Sequence, residues 1–209
     1  MQEVAPNPRY TALASEASLE TAAQNLTENG MTAHIVESAA DARRLALELM
    51  PDGAEVFTAA SKTLEEIGLL DAIENSTRLR SVRATLKEMD MATQWDEMRA
   101  LGARPDVVVG SVQAVTEQGQ VVAASASGSQ LGPYVGGAGK VIWVVGSQKI
   151  VPTLDDAMRR VEEYALPLED ARARLAYGQG SFIGKVLTFH REYMPDRINV
   201  ILVREKLGF

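Results

Sequence analysis

Our prediction of the fold starts from the segment 110–152, called the organising segment below, which reads GSVQAVTEQGQVVAASASGSQLGPYVGGAGKVIWVVGSQKIVP. Between Gly110 and Gly139 it holds seven of the sixteen glycines, and residues 121–124 and 141–145 are apolar runs. Residues 105–139 contain no Lys, Arg or His, and their only carboxylates are Asp106 and Glu117. Glycine lets a backbone approach a ligand closely, at an entropic cost that an ordinary loop does not require. The segment therefore predicts strands and a small-residue loop around a polar cleft.

The composition excludes several classes of partner and site. The chain has 209 residues, a net charge of −7 and scattered basic residues, which argues against a nucleic-acid or anionic-membrane partner. It has no cysteine, so disulfides, thiolate nucleophiles and cysteine-ligated iron–sulfur clusters are excluded within this chain. No apolar run approaches the length of a membrane span, and the first residues lack the pattern of a secretory signal. We expect a cytoplasmic protein.

Short apolar runs alternate with helical patterns, which predicts βα units and an α/β fold with a mainly parallel sheet flanked by helices. Ser38 and Asp41 form a capping box, and Asn29-Gly30 ends the helix before it. Residues 1–30 are predicted to be an N-terminal tail and a helical appendage, and residues 31–209 the α/β domain. The predicted helices include 89–101 and 154–164, and Pro167 is predicted to start a fresh helix. The predicted strands are residues 33–36, 55–59, 79–84, 106–109, 141–145 and 199–203, with a hairpin joining 112–116 to 120–124.

Open α/β sheets bind ligands beyond the carboxyl ends of their strands, so polar residues directly after strands are candidate site residues. Ser61, Lys62 and Thr63 follow the strand 55–59, and Ser61 as N-cap leaves helix amides free to hold a carboxylate or phosphate. Gln148 and Lys149 follow the run 141–145, and the lysine is a counter-charge for an acidic ligand. The alternatives are a capped helix with an exposed lysine and a simple surface turn.

Two more candidates lie inside the organising segment. Glu117, in a long uncharged stretch, suits a general base or a nucleophile, and the alternative is a solvated hairpin turn. The loop 125–130 suits a backbone nest around an anion, and the alternative is a flexible loop. The candidate ligand-binding residues of this loop are Ser125, Ser127, Gly128, Ser129 and Gln130.

Nucleotide and metal signatures fail at identifiable positions. After Gly137-Ala138-Gly139, Ile142 stands where a dinucleotide fingerprint requires glycine, and the segment precedes a strand rather than a helix. A P-loop ending in Lys140 would need glycine in place of Tyr134 and a hydroxyl residue after the lysine. The two histidines are far apart with no ligand spacing, so no metal site is expected.

Four motifs carry a resemblance to a known family: SKTLEEIGL (61–69), AVTEQG (114–119), SASGSQL (125–131) and VIWVVGSQKIVPTLDDAMRR (141–160). Together they resemble the LUD domain, the lactate-utilisation family of LutC/YkgG type, over roughly residues 55–205. The resemblance implies a NagB/RpiA/CoA-transferase-like fold and a role beside iron–sulfur partner proteins in oxidising L-lactate to pyruvate. It implies no cofactor in this chain, with iron–sulfur clusters only in the partner chains. The residues that match motif positions are Ser61, Lys62, Glu117, Gly119, Ser127, Gln130, Gln148 and Lys149.

Three hypotheses for the function remain open. In the first, the chain is a subunit or accessory factor of lactate oxidation that binds a small anionic ligand while iron–sulfur partners supply the redox centres. In the second, it is a self-sufficient transferase-like enzyme in which Glu117 acts on a CoA thioester, a sugar phosphate or a folate. In the third, it is a structural partner-binding protein with an exposed apolar patch.

Overall fold

The computed structural model describes residues 5–209, and within them helices and strands alternate along most of the chain. Short 3₁₀ turns occur at Pro8–Thr11 and Ser147–Lys149, and π-helical turns at Pro133–Gly137 and Val161–Ala165. The elements in chain order are α1 (Glu16–Glu28), β1 (Thr32–Val36), α2 (Ala39–Glu48), β2 (Glu55–Thr58), α3 (Lys62–Glu66), α4 (Leu69–Glu74), β3 (Arg80–Ser81), α5 (Val82–Glu88), α6 (Trp95–Ala103), β4 (Val107–Gly110), β5 (Ala114–Thr116), β6 (Val121–Ser125), β7 (Lys140–Gly146), β8 (Ile150–Val151), α7 (Leu154–Arg160), α8 (Leu166–Tyr177), β9 (Lys185–Phe189) and β10 (Ile198–Val203).

The main sheet has six strands in the order β1-β10-β7-β4-β2-β3, and every neighbouring pair is parallel. Strands β4 and β10 are buried along their whole length, as expected for a parallel sheet covered on both faces. Alternate residues of β4 enter two different cores: Val108 packs in one, and Val107 and Val109 pack in the other. The predicted α/β fold with a mainly parallel sheet is confirmed.

A second, smaller sheet with the order β8-β5-β6-β9 lies beside the first and is not foreseen from the sequence. Strands β5 and β6 form the predicted antiparallel hairpin, which turns through Glu117, Gln118 and Gly119. Gly119 has a φ of +74°, a backbone conformation that favours glycine. Strand β9 pairs with β6 in antiparallel fashion, and β8 pairs with β5 in parallel.

The N-terminal helix α1 packs against the sheet. Ser15 caps it, Asn29 ends it, and Leu19, Ala22 and Leu26 are buried in the core that also contains Val108. Residues 1–4 of the predicted tail lie outside the described residues. The amide of Asn7 donates to Glu163 O at 2.8 Å, so the chain is attached to the rest of the molecule from this point.

Three local predictions differ from the structure. The predicted strand 79–84 ends at Ser81, because the Ser81 hydroxyl accepts from the Ala84 amide and caps α5. The predicted helix 89–101 begins only at Trp95. Pro167 does not start a separate helix, because the π turn Val161–Ala165 joins α7 directly to α8.

No helix within residues 5–209 is long and apolar enough to cross a lipid bilayer.

Candidate functional site

A cavity of about 450 Å³ lies at the carboxyl ends of β2, β4 and β7, which are neighbours in the main sheet. Its inner wall consists of residues 59–63 after β2, residues 111–113 after β4, and Lys149 after β7. Its outer wall consists of the loop 124–130, helix α8 and the loop 179–183. The strand order reverses here, since β3 lies on one side of β2 and β4 on the other. Because ligands of α/β sheets bind at such reversals, we take this space, called the strand-end cavity below, as the candidate site.

Lys149 is a buried amine on the inner wall. Lys149 is only 1% exposed, and its Nζ donates to Thr63 Oγ1 and to Ser111 Oγ, both at 3.0 Å. Ser111 Oγ donates its own proton to Val144 O at 2.6 Å, and Thr63 Oγ1 donates to Leu207 O at 3.3 Å. The two hydroxyls therefore act as acceptors for Lys149. Within residues 5–209, no carboxylate forms an ion pair with this amine.

The surroundings of Lys149 disfavour its charged form. Burial lowers the pKa of the Lys149 amine well below its usual value, and the nearby Arg160 guanidinium lowers it further. The Glu66 carboxylate opposes this shift in pKa without reversing it. A lysine with a lowered pKa can serve as a nucleophile or a base at neutral pH.

Arg160 is a second buried cation behind the cavity wall. Its Nε donates to Gln148 O at 3.3 Å and its Nη1 donates to Gln113 O, while Nη2 has no hydrogen-bond partner among residues 5–209. The guanidinium lies 5.0 Å from the ring centre of Tyr164, a cation–π contact. Burial lowers the pKa of Arg160 to about 10. Arg160 thus holds Gln148, the residue before Lys149, as well as Gln113, and adds positive potential.

The other charges that line the cavity are partly paired. Lys62 Nζ lies 3.2 Å from Glu65, and Arg172 makes two 2.7 Å contacts with Glu169. Arg83 is half-buried, its Nη2 donates to Thr58 O at 3.2 Å, and no carboxylate in the described part of the chain pairs with it. The cavity therefore carries one cation without a carboxylate partner, Arg83, together with the buried amine of Lys149, which also has none. Such a cavity favours an anionic ligand.

The small-residue loop that faces these cations is held by its own hydrogen bonds. Ser125 Oγ accepts from the Gly128 amide at 2.9 Å and donates to Gln130 Oε1 at 3.0 Å. Gly128 has a φ of +88°, a left-handed conformation that changes the direction of the chain within the loop. Ser127 and Ser129 remain exposed at the cavity, so their hydroxyls are available to a ligand.

The structure brings together most of the predicted site residues. Those that line the strand-end cavity are Ser61, Lys62, Thr63, Ser125, Ser127, Ser129, Gln130 and Lys149. Ser61 caps helix α3 as predicted, with its hydroxyl accepting from the Leu64 amide.

Four predicted residues lie elsewhere. Glu117 and Gly119 belong to the hairpin turn, where Asn25 donates to the Glu117 carbonyl at 2.6 Å, because the turn follows the end of β5 and the cavity lies at its start. Gly128 lines a separate apolar groove. Gln148 is buried, and its side chain holds Leu207 through one bond to the amide and one to the carbonyl.

Three residues that matter for the site are not identified from the sequence: Arg83, Ser111 and Arg160. Arg83 lies inside the predicted strand 79–84, and the structure places it on α5 instead. Ser111 stands inside the organising segment without a motif. Arg160 lies in a helix of mixed charge, where an arginine predicts a solvated surface. The sequence signal that could have identified Ser111 is its position directly after a strand, β4.

No group of three or more His, Cys, Asp or Glu side chains within residues 5–209 is arranged to hold a metal ion.

Comparison with known proteins identifies relatives by sequence and by fold. Residues 19–203 match the family model described as the LUD domain. The crystal structure of a DUF162 family protein from Deinococcus radiodurans, at 1.70 Å resolution, is similar with a TM-score of 0.50. The two chains are 14% identical, and the match covers 92% of this chain and 99% of that one, so the likeness concerns the fold alone. No curated protein matches this chain.

Proposed function

This chain belongs to the LUD domain family, which associates it with lactate utilisation, and we propose that it binds a small carboxylate during oxidation of L-lactate to pyruvate. In this proposal it works in the cytoplasm as a subunit or accessory factor, and the strand-end cavity holds the ligand. Iron–sulfur partner proteins receive the electrons, because this chain has no cysteine with which to ligate a cluster.

The observation that carries the proposal is the Arg83 cation, which has no carboxylate partner and lines the same cavity as the buried Lys149 amine. A carboxylate satisfies such groups through charge-assisted hydrogen bonds, and an arginine offers a planar fork that matches both oxygens. The hydroxyls of Ser127 and Ser129 face the same space and suit the hydroxyl or carbonyl of a 2-hydroxy or 2-oxo acid. A volume of about 450 Å³ is within the range of small-molecule sites.

Isothermal titration calorimetry with L-lactate and pyruvate tests ligand binding. We expect both acids to bind to the wild-type chain, and Arg83→Met to weaken binding by about tenfold or more through loss of a charge-assisted hydrogen bond. Arg80→Met is the matched control, because Arg80 is an exposed arginine near Arg83 that does not line the cavity. Equal affinities for the two variants, or no binding to the wild type, would contradict the proposal.

The partner part of the proposal is tested in the source organism grown on L-lactate. We expect a tagged copy of the chain to copurify with proteins that contain iron–sulfur clusters, identified by mass spectrometry and by iron content. We also expect deletion of the chain to abolish growth on L-lactate and to leave growth on glucose unchanged. Recovery of no iron–sulfur protein, together with normal growth on lactate, would remove this part.

The transferase-like alternative is not proposed as a second function. It assigns catalysis to Glu117, and this residue packs beside α1 without lining the strand-end cavity.

A further inference from the structure

We propose that Lys149 is a nucleophilic amine that captures a 2-oxo acid as a Schiff base in the strand-end cavity. This inference rests on the proposed function for the class of ligand, because the 2-oxo acid is of the kind that oxidation of L-lactate yields. It adds a covalent step and a catalytic residue to what would otherwise be a binding site.

The hydrogen bonds of Lys149 leave one position of its nitrogen unused. Thr63 and Ser111 each accept one proton from Nζ at 3.0 Å, since their own protons are directed to backbone carbonyls. A neutral amine has two protons and one lone pair, so the two acceptors use both of its protons. The lone pair is then the group that remains for a ligand in the cavity that Lys149 lines.

Two features of the site favour the neutral amine. Lys149 is buried without a carboxylate partner among residues 5–209, and the Arg160 cation is close enough to affect it. Desolvation and a neighbouring cation are the two ways in which proteins activate a lysine as a nucleophile toward carbonyl substrates. Lys62, which also lines the cavity, is exposed and paired with Glu65, so it lacks both features.

Arg83 provides the complementary contact for the substrate. In a 2-oxo acid the carbonyl carbon is bonded directly to the carboxylate, so one cation can hold the acid while an amine attacks the adjacent carbon. Arg83 and Lys149 line the same cavity, and the planar Arg83 guanidinium offers only hydrogen-bond donors, as a carboxylate requires. This division of roles uses the two groups that lack carboxylate partners.

The covalent step is balanced within the site and needs no oxidant. The Lys149 lone pair attacks the carbonyl carbon, the carbonyl π electrons move to oxygen, and a proton passes from nitrogen to that oxygen to form a carbinolamine. The nitrogen then forms the C=N bond while the hydroxyl leaves with a second proton as water. Thr63 is the better proton relay, because its bond to Leu207 O is long at 3.3 Å whereas Ser111 is held to Val144 O at 2.6 Å.

Reductive trapping with borohydride tests the proposal directly. The wild-type chain is incubated with pyruvate and sodium borohydride, and intact-mass spectrometry with peptide mapping locates any adduct. We expect one reduced pyruvyl adduct per chain on Lys149, and none with L-lactate, which has no carbonyl. Lys149→Met should show no adduct, and Lys87→Met, at an exposed lysine outside the cavity, should be trapped like the wild type. Absence of an adduct on wild-type Lys149, or adducts spread over exposed lysines, would overturn the inference.

A second pair of variants keeps Lys149 in place. Thr63→Val removes the proton relay and should slow trapping, while Thr63→Ser keeps the hydroxyl and should restore the rate. Equal rates for the two would remove Thr63 from the mechanism. If pyruvate binds in calorimetry but is never trapped, the Schiff base fails and the proposed function stands. If neither acid binds, the proposed function itself fails.

Discussion

At the scale of single residues, Lys149 links the chemistry of the site to the pH dependence of stability. The folded state lowers the pKa of this amine below the unfolded value of 10.5, and Arg160 on α7 and Glu66 on α3 are the charged groups that act on it. Between the lowered pKa and the unfolded value, the unfolded chain binds more protons than the folded one. The free energy of unfolding therefore rises with pH across this window.

Lys149→Met removes this contribution. We expect the variant to be more stable than the wild type near pH 7, because it no longer buries a titratable amine and because Thr63 and Ser111 keep their bonds to backbone carbonyls. The advantage should shrink as the pH rises toward about 10. Urea unfolding of both proteins across this range measures the difference, with Lys87→Met as the exposed control. A constant difference would show that Lys149 does not titrate in the window.

The sequence predicts only some of the residues that form the site. Lys149 and Ser61 are predictable because each follows an apolar run, and a cap or a lone cation in that position is a local signal. Arg83 and Arg160 carry no such signal, because the local sequence does not show whether an arginine is buried or solvated. Glu117 is a candidate because its surroundings are uncharged, but the sequence does not show which end of β5 lies at the cavity.

At the scale of elements, the β5–β6 hairpin depends on Gly119 for two separate reasons. The φ of +74° favours glycine, and a Cβ built on Gly119 would lie 2.5 Å from the carbonyl carbon of Asn25 in α1. Gly53 shares the first reason, with a φ of +76°, but no atom lies within 4 Å of the position that a Cβ would take there. The two glycines therefore separate backbone strain from close packing.

We expect Gly53→Ala to lower the free energy of unfolding by about 1 to 2 kcal/mol, from left-handed strain alone. Gly119→Ala should lose a further ~1 to 3 kcal/mol, because the hairpin must move away from α1. Chemical denaturation of the two variants measures the difference. Similar losses would mean that the hairpin moves freely with respect to α1.

Elements with a strong local signal are predictable, and those defined by pairing are not. The hairpin and the helix that begins after Ser61 follow from turn and cap residues. Strand β8 has only two residues, and β9 is half-buried, so neither produces an apolar run and both exist through their pairing with β5 and β6. The second sheet is therefore absent from the sequence prediction.

At the scale of the whole molecule, the turn Ser147–Lys149 joins the main sheet to the second sheet, since it lies between β7 and β8. Arg160 braces this junction by donating to carbonyls of Gln148 and Gln113. Gln113 lies between β4 and β5, which is another of the four connections between the two sheets. One buried guanidinium thus ties together two of the four connections between the sheets.

Arg160→Met leaves one buried and one partly buried carbonyl without their charged donor, and we expect a loss of about 3 kcal/mol in the free energy of unfolding. Arg159→Met is the matched control, because this neighbouring arginine is exposed and its loss should change stability by less than about 0.5 kcal/mol. Thermal and urea unfolding measure both. Equal stability of the two variants would show that the junction does not depend on Arg160.

The position of Lys149 in the turn between the sheets has a consequence for genetics. Variants of this turn, or of Arg160, that unfold more readily will be degraded faster, and their cellular abundance will fall. A growth defect caused by such a variant then reports the amount of protein rather than its chemistry. Arg83 lies on α5, outside the turn that joins the sheets and without a bond to it, and its loss should leave abundance intact. Comparing the two classes by immunoblot separates a missing protein from an inactive one.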